Sequence, residues 1–346
     1  MKIISILLLE IKNKEIKMKF KNACYLPSGR VFLFETKDGY LIESTEMRDV
    51  SIDGKIHQEV RTSLDPHVIW KHLVPYETKW LLTVSTQKGC THNCAFCDVA
   101  PLPFMGNLSK WEIIDQVSHL LKYTPYVTKC QKAKIGFARM GEPSHNIQNV
   151  LDAMKLLPEI SKQENRDINW LPCFNSILPR KTMEGIDGED VVKMVLKTKE
   201  KDYNGMLHFQ ISCNSTDEEK RSQLFGNANV LSIEEVINII QKEKITNRTV
   251  TLNFIVMEGV EIDVDKLIKM GLSHDKFAVK LIPLNQTENS KKNELETYAN
   301  YNNYEKLLEL KDKFASFNIP VVVDAIARCE EAGLCCGQLA QIYMNK

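Results

Sequence analysis

Cys90-Thr91-His92-Asn93-Cys94-Ala95-Phe96-Cys97 is the stretch on which the reading of this chain turns. Cysteines at i, i+4 and i+7 put three thiolates on one short loop. A four-iron cluster normally takes four such ligands, so three leave one iron open to bind and change a small molecule. A structural zinc site more often shows two separated Cys pairs, a spacing this stretch lacks. Three unrelated buried cysteines are the other alternative, but Gly89, Thr91, His92 and Asn93 read as loop rather than core strand. Spacing and context together assign a 4Fe-4S cluster to Cys90, Cys94 and Cys97.

Outward from that loop, short apolar runs alternate with amphipathic segments. Strands are expected over 80–85, 133–139, 169–174, 207–213, 250–257, 277–283 and 320–324, with helices over 110–123, 146–157, 190–199, 232–244, 264–270 and 304–317. Ser109 and Ser232 stand where N-caps belong, each followed three residues later by Glu112 or Glu235. Such alternation implies an α/β fold, a partial (β/α)6 TIM-like barrel whose active residues lie at strand C-terminal ends. The cysteine loop follows the first of these strands. Ahead of it, residues 30–37 and 40–44 flank Asp38-Gly39 as a small N-terminal β-hairpin extension. Residues 1–75 are therefore read as a β-rich extension with a polar connector over 47–75, and 76–346 as the core; 285–303 reads as a polar loop.

The bulk numbers exclude more than they assign. The chain has 346 residues, with 45 basic against 45 acidic, so no overall field draws it to nucleic acid or an anionic membrane. A local basic patch would still serve an RNA substrate. Ten cysteines, three of them needed as thiolates, point to a reducing cytoplasm. The apolar start, Ile3 to Leu9, is short and has neither a basic flank nor a small-residue cleavage site, so no signal peptide is expected. No apolar run is long enough to span a membrane.

Further candidates recur at predicted strand ends. Met140-Gly141-Glu142-Pro143 follows the second strand; the glycine admits close backbone approach, and the carboxylate with nearby carbonyls suits an ammonium group. Alone, Gly-Glu-Pro is a common turn. Ser176, Ser212, Asn214 and Asn285 point to the same rim, although each singly reads as a turn or cap. Cys213 lies within that rim set, yet as a thiol it reads, like Cys24, Cys130 and Cys173, as a core residue. Near the C-terminus, Cys335-Cys336-Gly337 reads as an accessible thiol, a buried small hydrophobe or a strained vicinal disulfide.

Cys90/Cys94/Cys97, Met-Gly-Glu-Pro, Ile211-Ser212-Cys213-Asn214, Leu281-Ile282-Pro283-Leu284-Asn285 and Cys336-Gly337-Gln338-Leu339 occur here in one order. Together they resemble the radical S-adenosylmethionine (SAM) RNA adenosine methyltransferases, the RlmN/Cfr-like family, over roughly residues 30–340. The resemblance implies SAM on the open iron, with Gly141, Glu142, Ser176, Ser212, Cys213, Asn214 and Asn285 around it. It implies that Cys336 takes a methyl from one SAM, and that a 5′-deoxyadenosyl radical from a second takes a hydrogen from that methyl. The carbon then adds to an adenine ring carbon, C2 or C8, of rRNA or tRNA. An electron-poor amidine carbon is no nucleophile, so a radical route makes chemical sense. Glu43 matches a family position proposed as a base. Partners implied are RNA and an external electron donor of flavodoxin or ferredoxin type, with the enzyme a monomer.

Two departures matter. Thr83 stands where the family has the cysteine that resolves the covalent intermediate; Cys335 and Cys329 are conceivable substitutes. About 29 residues precede the hairpin, fewer than the family's helical accessory domain needs. Both departures favour an alternative, the same radical SAM core acting on a small molecule, nucleotide or peptide. A third reading is a non-enzymatic iron–sulfur protein. Lys110, Arg139, Arg180, Lys181, Arg221 and Arg328 are the candidate RNA contacts, chosen as charges near strand ends and loops.

Overall fold

One ten-stranded sheet organises the computed structural model, which describes residues 18–52, 55–56, 70–297, 305–323 and 335–344. Three antiparallel strands open it: β1 (Lys19–Leu26), β2 (Gly29–Glu35) and β3 (Leu41–Arg48). Asp38-Gly39 turns the β2–β3 hairpin, as its sequence suggests, with Gly39 at φ +85°. The preceding β1 was not expected; its residues are mostly polar or half-buried, so no clean alternation marks it. β3 runs on to Arg48 and pairs antiparallel with β4 (Trp80–Val84). The hairpin and the barrel thus share one hydrogen-bonded sheet.

Within this sheet, from β4 onward every pairing is parallel and follows chain order. The strands are β5 (Lys129–Gly136), β6 (Asp167–Ser176), β7 (His208–Ser212), β8 (Val250–Val256), β9 (Phe277–Pro283) and the short β10 (Val321–Val323). The helices are α1 (Lys110–Tyr123), α2 (Ile147–Gln163), α3 (Gly188–Tyr203), α4 (Glu218–Leu224), α5 (Ile233–Lys242), α6 (Val264–Lys269), α7 (Glu288–Lys292), α8 (Glu305–Ser316) and α9 (Gln338–Met344). β1 and β10 form opposite edges, so the barrel is open and partial, as the alternation predicts.

The helix-facing side of the sheet makes the core. Trp80, Ala133, Ile135, Phe209, Ile211, Leu252 and Phe254 are buried there with Ile113, Val117, Leu120 and Leu121 of α1. Each fully buried large apolar side chain contributes about 1.5–3 kcal/mol. Ser109 and Ser232 both form complete capping boxes with Glu112 and Glu235. Such a cap stabilises a helix start by about 1 kcal/mol. The expected polar loop over 285–303 contains α7, and α4 is a further short helix that periodicity did not reveal. Among the described residues, no helix is long and apolar enough to cross a membrane. Arg328 and Cys329 lie outside the described residues.

Candidate active site

Backbone bonds from distant elements hold the cysteine loop in shape. Asn289 Nδ2 donates to Cys94 O at 2.9 Å, Asn293 Nδ2 to Ala95 O at 3.1 Å, and Thr287 Oγ1 to Phe96 O at 3.0 Å. Ala95 N donates to Leu224 O at 2.9 Å, so α4 and the α7 region grip the loop from two sides. The three thiols are half-buried. Burial pushes Cys90 up to about 11 and Cys94 and Cys97 well above the usual thiol range. Cys97 and Cys90 also raise Cys94, and Cys336 with Cys90 raises Cys97. Mutual repulsion of this kind means that three thiolates coexist only around a strong positive centre. Among the described residues, no three His, Cys, Asp or Glu side chains close around a point suited to a single metal ion. A cluster holds its thiolates farther apart than one ion does, because iron and sulfide stand between them, and this loop fits that donor set.

The loop after β5 forms the next part of the rim. Gly141 has φ +101°, and a Cβ there would stand 2.5 Å from Gln87 Cβ, so the position requires glycine. Glu142 is buried and ties two strand ends together. Its Oε1 accepts from Ser144 N at 2.9 Å and Ser176 Oγ at 2.6 Å, and its Oε2 accepts from Ile177 N at 3.1 Å. Ser176 is therefore joined to the Gly-Glu-Pro loop. Asn214 follows β7 in a left-handed conformation, φ +64°, and its Oδ1 accepts from Ile255 N at 3.1 Å. Ser212 closes β7 half-buried, and Asn285 follows β9, its carbonyl accepting from Thr287 N at 2.9 Å. Asn214 Nδ2, Asn253 Oδ1 and Thr91 Oγ1 are buried with no hydrogen-bond partner. Such groups are costly unless something satisfies them, and a polar ligand such as SAM fits them.

Two carboxylates seat the Cys336 segment. Glu43, fully buried on β3, accepts from Arg139 Nε at 2.8 Å, Gly337 N at 3.0 Å and Ala340 N at 2.9 Å. It thereby satisfies N–H groups at the start of α9. Arg139 also donates to Cys335 O at 3.1 Å and reaches Cys336 Sγ at 3.6 Å. Asp98, next to Cys97, accepts from Asn289 N at 2.7 Å and from Gln338 Nε2 at 2.5 Å. One side chain thus joins the cluster loop, α7 and the Cys336 segment. Gly337 sits at φ +88°, and a Cβ there would stand 2.9 Å from Asp98 O. Gly337→Ala is expected to lower stability by about 1–2 kcal/mol, read by chemical denaturation, and an unchanged midpoint would contradict this seating.

Several expected residues are placed differently. The Cys213 side chain is not on the rim; it packs in the helix-side core, its thiol donating to Ile211 O. Alternation explains this, since Ser212 and Asn214 flank it on the other face. Arg139 and Arg221 are buried, so neither offers a surface charge to RNA. Arg221 donates to Leu231 O at 2.7 Å and lies 5.4 Å from the Phe225 ring, while its Nε and Nη2 lack partners. Arg180 is exposed and doubly bonded to Glu235, Lys181 is paired with Asp187, and Lys110 lies over the Trp111 ring. Thr83 Oγ1 is 2.6 Å from Thr45 Oγ1. A base at Glu43 would need an oxygen free to take a proton, and both of its oxygens are engaged. Asp98 was missed as a site residue, although adjacency to Cys97 was a usable signal, and Arg139, expected as an RNA contact, instead meets Glu43 and Cys336.

No family model matches the chain. It is 28% identical over 271 residues to the dual-specificity RNA methyltransferase RlmN of Helicobacter hepaticus, covering 77% of this chain and 64% of that protein. It is 28% identical over 293 residues to the probable dual-specificity RNA methyltransferase RlmN of Clostridioides difficile, covering 81% and 74%. These likenesses support reading the chain as a divergent RlmN/Cfr-like member. It spans 64% of the length of the Helicobacter relative. The crystal structure of a radical SAM methyltransferase from Sphaerobacter thermophilus shares the fold, with TM-score 0.65, 17% identity, and 96% of this chain and 84% of that one covered.

Proposed function

We propose that the chain is a cytoplasmic radical SAM methyltransferase that carries a methyl on Cys336 and delivers it to C2 or C8 of an adenine in RNA. The observation carrying this reading is the placement of Cys336, which touches Arg139 and bears electrostatically on cluster-loop Cys97. Cys90, Cys94 and Cys97 hold the 4Fe-4S cluster, which when bound supplies the electron that breaks a carbon–sulfur bond of SAM. Thr91, Asn214 and Asn253 offer SAM their unpartnered polar atoms, and Gly141 lets it approach the backbone. Arg139 donates toward the Cys336 sulfur and so favours its thiolate, the form that takes a methyl. Glu43 acts through Arg139 and the α9 N–H groups as a positioning residue. Residues 76–346 form the catalytic core and 1–75 its extension, with a flavodoxin or ferredoxin type protein as electron donor.

Cys336 is expected to gain one methyl group when the protein is made with SAM available, seen as a 14 Da increase (roughly the mass of a CH₂ unit) by peptide mass spectrometry. Cys336→Ala should remove it, and an unmodified thiol in the reconstituted enzyme counts against the reading. Thr83, bonded to Thr45, favours a second reading in which the same core acts on a non-RNA substrate, a small molecule, nucleotide or peptide. Product analysis with RNA and with free nucleotides separates the two.

A further inference from the structure

Two histidines face each other where three rim loops meet. His92 stands in the cysteine loop between Cys90 and Cys94, and His145 in the short 3-10 turn, Pro143–Asn146, that follows Gly141-Glu142. Their Nε2 atoms are 2.9 Å apart, with the rings 25° from parallel and their centroids 4.9 Å apart. The third loop is the one after β6, from which Met183 N donates to His145 Nδ1 at 3.1 Å. His145 is buried, and its main chain is fixed on both sides. Its N–H donates to Glu142 O at 3.1 Å, and its carbonyl accepts from Asn107 Nδ2 at 2.7 Å.

These partners decide where the protons are. A ring nitrogen that accepts a backbone N–H carries no proton of its own, so His145 Nδ1 is bare and its one proton is on Nε2. That proton is given to His92 Nε2, which must be bare in its turn. His92 is left neutral, with its own proton on Nδ1. Among the described residues this Nδ1 has no hydrogen-bond partner, yet it is not one of the buried polar atoms that lack one, so it faces accessible space. Nδ1 is also the ring nitrogen nearer the main chain. That main chain turns about one sulfur, since the N–H groups of His92 and Thr91 both bond Cys90, the first at 3.5 Å.

We propose that His92 gives its Nδ1–H to the cluster at the Cys90 corner, and that His145 is the positioning residue that keeps the proton on that nitrogen. A hydrogen bond to a cluster sulfur stabilises the negative charge gained on reduction and so raises the potential. His145 acts on the cluster only through His92, as outer partners of metal-bound groups commonly do. The two backbone donors at Cys90 would be there with other side chains at position 92; the ring N–H depends on this pair. No proton leaves either ring, so the pair is a fixed dipole and not a pH switch. Its consequence is a cluster that an external electron donor fills more readily. The inference deepens the radical SAM reading above and rests on it for the presence of the cluster, not for the identity of the substrate.

The test is a redox titration of the cluster-reconstituted full chain without SAM, followed by electron paramagnetic resonance. An asparagine amide nitrogen falls near the place of imidazole Nδ1, and a glutamine amide nitrogen near that of Nε2. H92N should therefore keep the wild-type potential, whereas H92Q and H92F should lower it. The expected shift in the reduced-to-oxidised ratio at a fixed potential is about tenfold, or about 59 mV for one electron. H145F, which frees His92 to take the other tautomer, should lower the potential in the same direction, and a wild-type value there overturns the role of His145. Equal potentials in H92N, H92Q and H92F overturn the proposal, as does a loss in H92N with retention in H92Q. The metal-free wild-type chain gives a second reading that needs no variant to fold. Nitrogen-15 histidine spectra should show His92 protonated on Nδ1 and His145 on Nε2; the reverse assignment overturns the proposal. Wild type that takes up no iron sinks the cluster reading and this inference with it, whereas iron uptake with unmoved potentials sinks this inference alone.

Discussion

Anaerobically reconstituted protein in which Cys90, Cys94 and Cys97 are all alanine is expected to hold essentially no cluster iron or sulfide. It should form no 5′-deoxyadenosine when reduced with SAM, a loss of more than about a thousandfold against the wild-type enzyme. The fold should survive the change. The loop is gripped mostly through its backbone carbonyls, at Cys94, Ala95 and Phe96, by side chains of the α7 region. The His92 N–H is directed at Cys90 Sγ at 3.5 Å, and the other bonds to the sulfurs, from Thr91 to Cys90 and Val99 to Cys97, are likewise backbone N–H contacts. Removing three half-buried thiols that repel one another as thiolates therefore costs the apoprotein little. Far-ultraviolet circular dichroism and a denaturation curve near wild type would confirm that the loss belongs to the cluster. Retention of more than about half of the iron would show that these cysteines are not its ligands.

Glu43→Ala should have the largest effect on stability of any change at the site. Arg139 is buried against Glu43, Nη2 to Oε2 at 2.7 Å, with the arginine 7% and the glutamate 0% exposed in their side chains. Burial opposes the charged guanidinium, and Glu43 is its main compensation, followed by Cys336 and Cys335. Removing one partner of such a pair leaves an uncompensated buried charge and costs about 3–5 kcal/mol. The change also frees the Gly337 and Ala340 N–H groups, so the Cys336 segment loses its seat. Guanidinium denaturation reads the first effect and the methylation state of Cys336 the second. E43A/R139M, which removes both charges, should recover much of the stability while Cys336 stays poorly methylated. Were Glu43 instead a base used only on the substrate, Glu43→Gln would leave Cys336 methylation at the wild-type level while product formation fell.

Local signals in the chain were legible where nothing distant competed with them. β9 and α1 lie over the residues their periodicity indicates, and the two serine caps form the expected boxes. β5 begins earlier than expected, at Lys129, because lysines at 129, 132 and 134 hide its alternation and a register slip interrupts it. Lys129 and Lys132 are exposed and Lys134 half-buried, so the first residues of the strand show no apolar alternation. Charges near strand ends were poor guides to a nucleic-acid surface: Arg139 and Arg221 turned out to be buried, Arg180 and Lys181 paired. A charge in a one-dimensional string does not tell whether a carboxylate from another strand will meet it.

Sequence alone determined the cysteine loop, the order of strand–helix units and the caps, because each depends on spacing within a few residues. Tertiary structure decided the rest of the site. Glu43 lies 96 residues from Arg139, which lies 197 residues from Cys336, and Gln338 reaches Asp98 across 240 residues. Those contacts exist because β3 pairs with β4, and β4 with β5, in one particular register. A slip of one residue in β3 would turn Glu43 to the opposite face and unseat Arg139 and the Cys336 segment.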